Sequence, residues 1–227
     1  MGQFKVSKRI VVTGKIPAPG IKALQDAGFR PVAWDHDHQI TRTELLEFVK
    51  GAEVLITLLT EKVDDELLDA AGQQLKAVCN VAVGYNNINV AACTRRNVRV
   101  TNTPGVLTDA TADIALALIL MVTRRLGEGE RVIRSAEPWQ WGMSYMLGVG
   151  IQKRQLGIIG MGAIGIATAR RAKAFGMTIG YFSRSPIENK IVEELNATKL
   201  SLDDLLTTSD VVSVHCPSNE STHHLIG

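Results

Sequence analysis

Short β-branched runs alternate with amphipathic stretches from Lys8 onward, one pair about every 25 residues, which is the rhythm of βα units. Runs at 10–13, 31–34, 54–58, 76–81 and 98–101 predict strands, and stretches at 20–27, 43–50, 64–71 and 90–96 predict the helices between them. Five strands joined this way form one doubly wound sheet, so the fold class expected is α/β. Asn89 stands where an N-cap would accept from the amides of a helix, and Gly28 and Gly51 follow helical stretches as left-handed stops.

The turn-rich segment NTPGVLTDA then breaks the rhythm, and a helical pattern covers 111–134. A domain boundary is expected here, with 1–103 as the first domain and 104–227 as the second. Within the helical pattern, TADIALALILMVTRR is apolar around most of its circumference, which suits burial against a partner subunit or between domains, or equally a simple core helix. The segment EPWQWGMSYMLGVG holds two of the three tryptophans, Trp139 and Trp141. A new series opens at Leu156, with strands expected at 156–159, 178–182, 198–200 and 211–215 and helices ending at Gly176 or covering 187–195 and 202–207. The chain has no internal repeat and no low-complexity tract.

The turn after the strand at 156–159 reads G-x-G-x-x-G, with Gly160, Met161, Gly162, Ala163, Ile164 and Gly165 leading into a helix. Each glycine has a separate reason: Gly160 permits the tight turn, Gly162 lets backbone approach a pyrophosphate, and Gly165 lets helix and strand pack closely. Amides at the helix N-terminus then face phosphate charge. Alone the spacing is weak evidence, but a strand before it and a helix and second strand after it point to dinucleotide binding. An NAD site places Asp or Glu about 20 residues further on, against the ribose 2′-OH. Here Ser183, Arg184 and Ser185 occupy that position, offering a guanidinium and two hydroxyls to a 2′-phosphate. NADPH is therefore expected over NADH.

Charge and composition narrow the classes. Lys and Arg total 25 against 23 Asp and Glu, a net +2 that gives no basic field for nucleic acid. With 45% hydrophobic and 21% charged residues, the chain has ordinary globular composition rather than that of a disordered or fibrous one. The longest apolar stretch, 115–122, is too short to span a bilayer, and residues 1–10 hold no apolar leader. A cytoplasmic protein is expected. Cys79, Cys93 and Cys216 are odd in number and scattered, so reduced thiols are expected rather than disulfides or a metal knuckle.

Taken together, VAVGYNNIN (81–89), VTNTPGVLTDATADIALALILMVTRR (100–125), LGIIGMGAIG (156–165) and SDVVSVHCPSNESTHHLIG (209–227) resemble the D-isomer-specific 2-hydroxyacid dehydrogenase family, in its glyoxylate/hydroxypyruvate reductase branch. The resemblance covers essentially the whole chain. It implies a flavodoxin-like substrate domain in 1–103 and an incomplete NAD(P)-binding Rossmann domain in 104–227. It also implies NADPH-dependent reduction of a small 2-keto acid to the D-2-hydroxy acid, in a homodimer. On the substrate side it assigns the backbone amides of Val83 and Gly84 to the substrate carboxylate and Leu59 to the loop beside it. On the cofactor side it assigns the 160–165 turn and Ser183 to Ser185 to the phosphates. Thr108 falls near the nicotinamide, and His215, Cys216 and Pro217 fall at the adenosine. Trp139 and Trp141 resemble an aromatic segment at the family's dimer interface, and anchoring of their own loop in the core is the equal alternative.

Departures accompany the likeness. Asn86 and Asn89 stand where the family commonly has Asp, and QKRQ before Leu156 and SNES after Pro217 are unusual. The family's catalytic Arg, Glu and His are expected beyond residue 227, so this chain looks truncated and is expected to be inactive alone. His36 and His38 lie in an acidic loop without a third ligand, His223 and His224 resemble the start of a surface helix, and no metal is expected. Two alternatives stay open: another D-2-hydroxyacid dehydrogenase, acting on 2-ketogluconate or phosphoglycerate, and a non-catalytic dinucleotide-binding relative.

Overall fold

The computed structural model describes residues 8–136 and 138–226; the stretch 1–7 read for a leader, Glu137 in the tryptophan segment and Gly227 lie outside the described residues. The chain divides into two compact units, one ending at Pro104 and the other beginning at Gly105.

In the first unit, strands β1 (Ile10–Val12), β2 (Val32–Ala33), β3 (Val54–Thr57), β4 (Ala77–Asn80) and β5 (Arg99–Thr101) alternate with helices α1 (Ala18–Asp26), α2 (Arg42–Phe48), α3 (Asp65–Ala71) and α4 (Val90–Arg95). All pairs are parallel in the order β2-β1-β3-β4-β5, with Val11 opposite Leu55 and Leu55 opposite Val78. This is the flavodoxin-like order, whose switch point lies between β1 and β3. Val11, Leu55 and Val78 meet Leu45 of α2, Val49 just after it, and Leu67 and Leu68 of α3 in one buried core. Local signals act as read: Asn89 caps α4 by accepting from the Ala92 amide at 3.0 Å, and Gly28 and Gly51 sit at φ +83° and +75°.

The single helical pattern expected over 111–134 is two helices, α5 (Thr108–Thr123) and α6 (Leu126–Ser135). Arg125 breaks them in left-handed backbone, φ 56°, and its guanidinium turns onto Glu128 at 2.6 Å. The cause lies outside the helix. Val149 donates its backbone N–H to the Thr123 carbonyl at 2.7 Å, closing the end of α5, and Gly148 passes so near that a Cβ there would lie 2.6 Å from that oxygen.

Beyond this lie β6 (Gln155–Ile159), α7 (Ala163–Ala174), β7 (Thr178–Phe182), α8 (Asn189–Leu195), β8 (Thr198–Lys199), α9 (Leu202–Thr208) and β9 (Val211–Val214). They form a parallel sheet in the order β8-β7-β6-β9. That order is strands 3-2-1-4 of a Rossmann sheet, with the switch point between β6 and β9. Leu156, Ile158, Ile179 and Tyr181 of the strands share a buried core with Ala169 and Ala172 of α7 and Ile119 of α5. A short 3₁₀ turn, Glu220–Thr222, follows β9; His223 and His224 come after it as a turn, not as a helix start, because Asn219 caps the turn and His224 takes φ 52°.

Candidate functional site

At the switch point of the second unit the C-terminal ends of β6, β7 and β9 open into a cleft of ≈ 310 Å³. Gly160, Met161, Gly162, Ser183, Arg184, Ser185, His215, Cys216 and Pro217 line it, with Phe182 and Pro186 among their neighbours and Ser221, Thr222 and Leu225 on the far wall.

The turn is built as a phosphate cradle requires. Gly160 holds φ +95°, and a Cβ there would lie 2.6 Å from the Cys216 amide nitrogen, so β6 and β9 can meet at the cleft floor only with glycine. A Cβ on Gly165 would run into the Gly160 carbonyl oxygen. At Gly162 the reverse holds: a Cβ would meet nothing within 4 Å, leaving open space over the start of α7. Ala163, Ile164 and Gly165 form the first turn of α7, behind that opening, and no side chain caps the helix. Their amides are free donors at the positive end of the helix dipole.

Among the described residues, no Asp or Glu lines the cleft. Its fixed charge is Arg184, whose Nη1 donates to Ser221 Oγ at 2.8 Å, while Ser183 Oγ donates to the Ser185 carbonyl at 3.1 Å. His215 continues the ladder of β9 through its amide, 2.7 Å from the Ile159 carbonyl, and its Nε2 lies 2.8 Å from Ser213 Oγ. Burial pushes the imidazole pKa below its ordinary value, so the ring is neutral at pH 7. An open cradle of free amides and, among the described residues, a guanidinium without a carboxylate partner and a wall without acids together fit a nicotinamide dinucleotide bearing phosphate charge. Thr108, the first residue of α5, does not line the cleft. It is tied to it indirectly, since Arg171 of α7 bonds Asp113 at 2.6 Å and Asp109 at 3.0 Å on α5.

In the first unit, Leu59 is exposed after β3, and Val83 and Gly84 follow β4. Asn102 Nδ2 donates to the Val83 carbonyl at 2.8 Å and Asn80 Nδ2 to the Gly84 carbonyl at 2.9 Å. With both carbonyls tied back, the amides of Val83 and Gly84 have no acceptor among the described residues. Two adjacent amides of this kind are candidate donors to an anion. Asn80 is itself buried and accepts from Thr57 Oγ1 at 3.0 Å; Asn87 reaches from the same loop to the carbonyls of Leu58 and Glu61, joining it to the loop of Leu59.

The reading from sequence missed Asn80, Asn87 and Asn102 on this side and Ser221, Thr222 and Leu225 on the other. Asn80 left a trace, as an amide at the end of the apolar run KAVCNV. His36 and His38 lie after β2; His38 Nε2 pairs with Glu44 at 3.0 Å.

The geometry defines a two-unit dinucleotide-binding protein, and comparison with known proteins gives the family. The family described as "D-isomer specific 2-hydroxyacid dehydrogenase, NAD binding domain" matches residues 116–227. Glyoxylate reductase of Thermococcus onnurineus (strain NA1) is 44% identical over 223 residues, covering 96% of this chain and 66% of the relative. That of Aeropyrum pernix is 45% identical over 223 residues, again 96% of this chain and 66% of the relative. Among solved structures, the TT0316 protein of Thermus thermophilus superposes with a TM-score of 0.86 at 39% identity, covering 96% of this chain and 67% of that one. A glyoxylate reductase from Paecilomyes thermophila gives 0.83 at 30%, covering 97% and 68%. This chain belongs to the D-isomer specific 2-hydroxyacid dehydrogenase family. It spans about 66% of the length of the curated glyoxylate reductases it matches.

Proposed function

We propose that this chain supplies the substrate and cofactor units of an NADPH-dependent reductase of small 2-oxo acids, converting glyoxylate to glycolate or hydroxypyruvate to its D-2-hydroxy acid. The carrying observation is the acid-free cleft, with open space at Gly162 and Arg184 at the end of β7. A nicotinamide bound there would supply the hydride chemistry that reduction of a carbonyl carbon requires. The residues of the chain bind and orient. Free amides of the 162–165 turn hold the pyrophosphate, and Arg184 with Ser183 and Ser185 holds the 2′-phosphate. His215, Cys216 and Pro217 wall the adenosine, and Thr108 serves the nicotinamide side through the Arg171 clasp. The Val83 and Gly84 amides hold the substrate carboxylate, and Leu59 bounds a small substrate group beside it. Identities of 40–45% to proteins named glyoxylate reductase support the choice of substrate.

The proposal includes a cytoplasmic homodimer. Ile114, Val122 and Ile133 are 62%, 78% and 75% exposed on α5 and α6, a larger apolar display than a lone unit needs, and a second copy would cover it. The functional test is titration of the chain with NADPH and NADH, followed by nicotinamide absorbance assays of the full gene product with a panel of 2-keto acids. Tighter NADPH binding and highest kcat/KM on glyoxylate or hydroxypyruvate are expected. NADH binding equally well overturns the cofactor assignment, and preference for 2-ketogluconate or a phosphorylated keto acid overturns the substrate.

A further inference from the structure

We propose that Ser221 is a positioning residue: it holds the Arg184 guanidinium in place for a 2′-phosphate and so sharpens the selection of NADPH over NADH. The inference rests on the proposed dinucleotide reading of the cleft. Arg184 sits at an exposed strand end, where a long side chain has many rotamers and a free guanidinium would be spread over them. Instead its Nη1 donates to Ser221 Oγ at 2.8 Å, across 37 positions of sequence. Both residues line the same cleft.

Ser221 is presented rigidly. Its hydroxyl proton goes to Asn219 Oδ1 at 2.6 Å, which leaves the oxygen as an acceptor toward Arg184. The same Asn219 oxygen accepts the Ser221 amide at 3.0 Å. Thr222 Oγ1 accepts from the Asn219 amide at 2.9 Å and donates to the Pro217 carbonyl at 2.7 Å, so the turn is fastened to the cleft wall next to Cys216. The latch is also neutral. Among the described residues no carboxylate pairs with Arg184, and one hydroxyl occupies only one of the five guanidinium donors. The remaining donors and the whole positive charge stay available to a phosphate. A carboxylate at position 221 would hold the guanidinium equally well but would repel the phosphate it is meant to receive.

The test is calorimetric titration of the chain with NADPH, NADH and 2′,5′-ADP, in buffer free of phosphate and sulfate. Ser221→Ala is expected to weaken NADPH and 2′,5′-ADP about fivefold, the size of one ordinary solvent-exposed hydrogen bond, while leaving NADH within about twofold. Ser221→Thr restores the wild-type ratio, and Ser221→Asp weakens the two 2′-phosphate ligands more than Ser221→Ala does. Arg184→Ala serves as the reference for the cleft itself. If Arg184→Ala removes the preference and Ser221→Ala does not, the positioning role is overturned and the cleft reading stands. Equal weakening of all three ligands by Ser221→Ala makes the residue merely structural and overturns it too. If wild type binds no dinucleotide, or Arg184→Ala leaves the ratio unchanged, the cleft reading fails and takes this inference with it.

Discussion

At the scale of single residues, the site depends on atoms with no room to move. Gly165→Ala forces the new methyl onto the Gly160 carbonyl, a backbone atom that cannot rotate away. Overpacking of this kind costs about 1–3 kcal/mol. Chemical denaturation is expected to show that loss, together with weakened dinucleotide binding. Asn80→Ala is expected to cost a similar amount, about 1–3 kcal/mol, because Thr57 and the Gly84 carbonyl lose a buried partner. Exchange of the Val81 and Thr103 amides, which bond the carbonyls of Thr57 and Ala82 on either side of this loop, would accelerate alongside, and unchanged exchange would mean the loop is held by other contacts. His215 makes a pH-dependent contribution with a definite sign. Its folded pKa lies below the ordinary 6.5, so as pH falls through that region the unfolded chain takes up the proton first and stability is lost. The wild type should therefore lose more Tm than His215→Gln between about pH 7.5 and 5.5; parallel losses would remove His215 as the cause.

Among elements, the α5–α7 pair joins the phosphate turn to Thr108. Arg171 is its clasp, reaching Asp109 and Asp113 from the helix that begins at the glycines. Arg171→Ala is expected to lower the Tm of the second unit and weaken dinucleotide binding, and full affinity with a lowered Tm would make the clasp purely structural. The strands and the glycine turn were readable in the sequence because their causes are local: buried β-branched runs, capping side chains, and glycines at fixed spacing. The break at Arg124–Arg125 was not readable. No proline or glycine marks it, and Gly127 and Gly129 lie within α6 instead. The end of α5 is set by the Val149 amide, which arrives from 26 residues further on. Ser221 was missed for the same reason, since its bond to Arg184 is a property of the fold. Asn80, Asn87 and Asn102 likewise act through carbonyls brought to them by neighbouring loops.

For the molecule as a whole, the apolar display on α5 and α6 argues for association. Val122→Glu would place a charge in the middle of the proposed contact, and sedimentation is expected to show the dimer giving way to monomer at micromolar concentration. A monomeric wild type would remove the homodimer from the proposal. The cleft has a wider consequence through its chemistry as an anion receptor. With free amides, one unquenched guanidinium and no carboxylate among the described residues, it does not distinguish at the first encounter between a phosphate carried by a nucleotide and one free in solution. If the cleft takes a dinucleotide as proposed, inorganic phosphate and sulfate are expected to compete for the same donors, and apparent dinucleotide affinity should fall as either rises at fixed ionic strength. Loading of the protein would then follow the ratio of dinucleotide to free phosphate, coupling its occupancy to the phosphate balance of its surroundings.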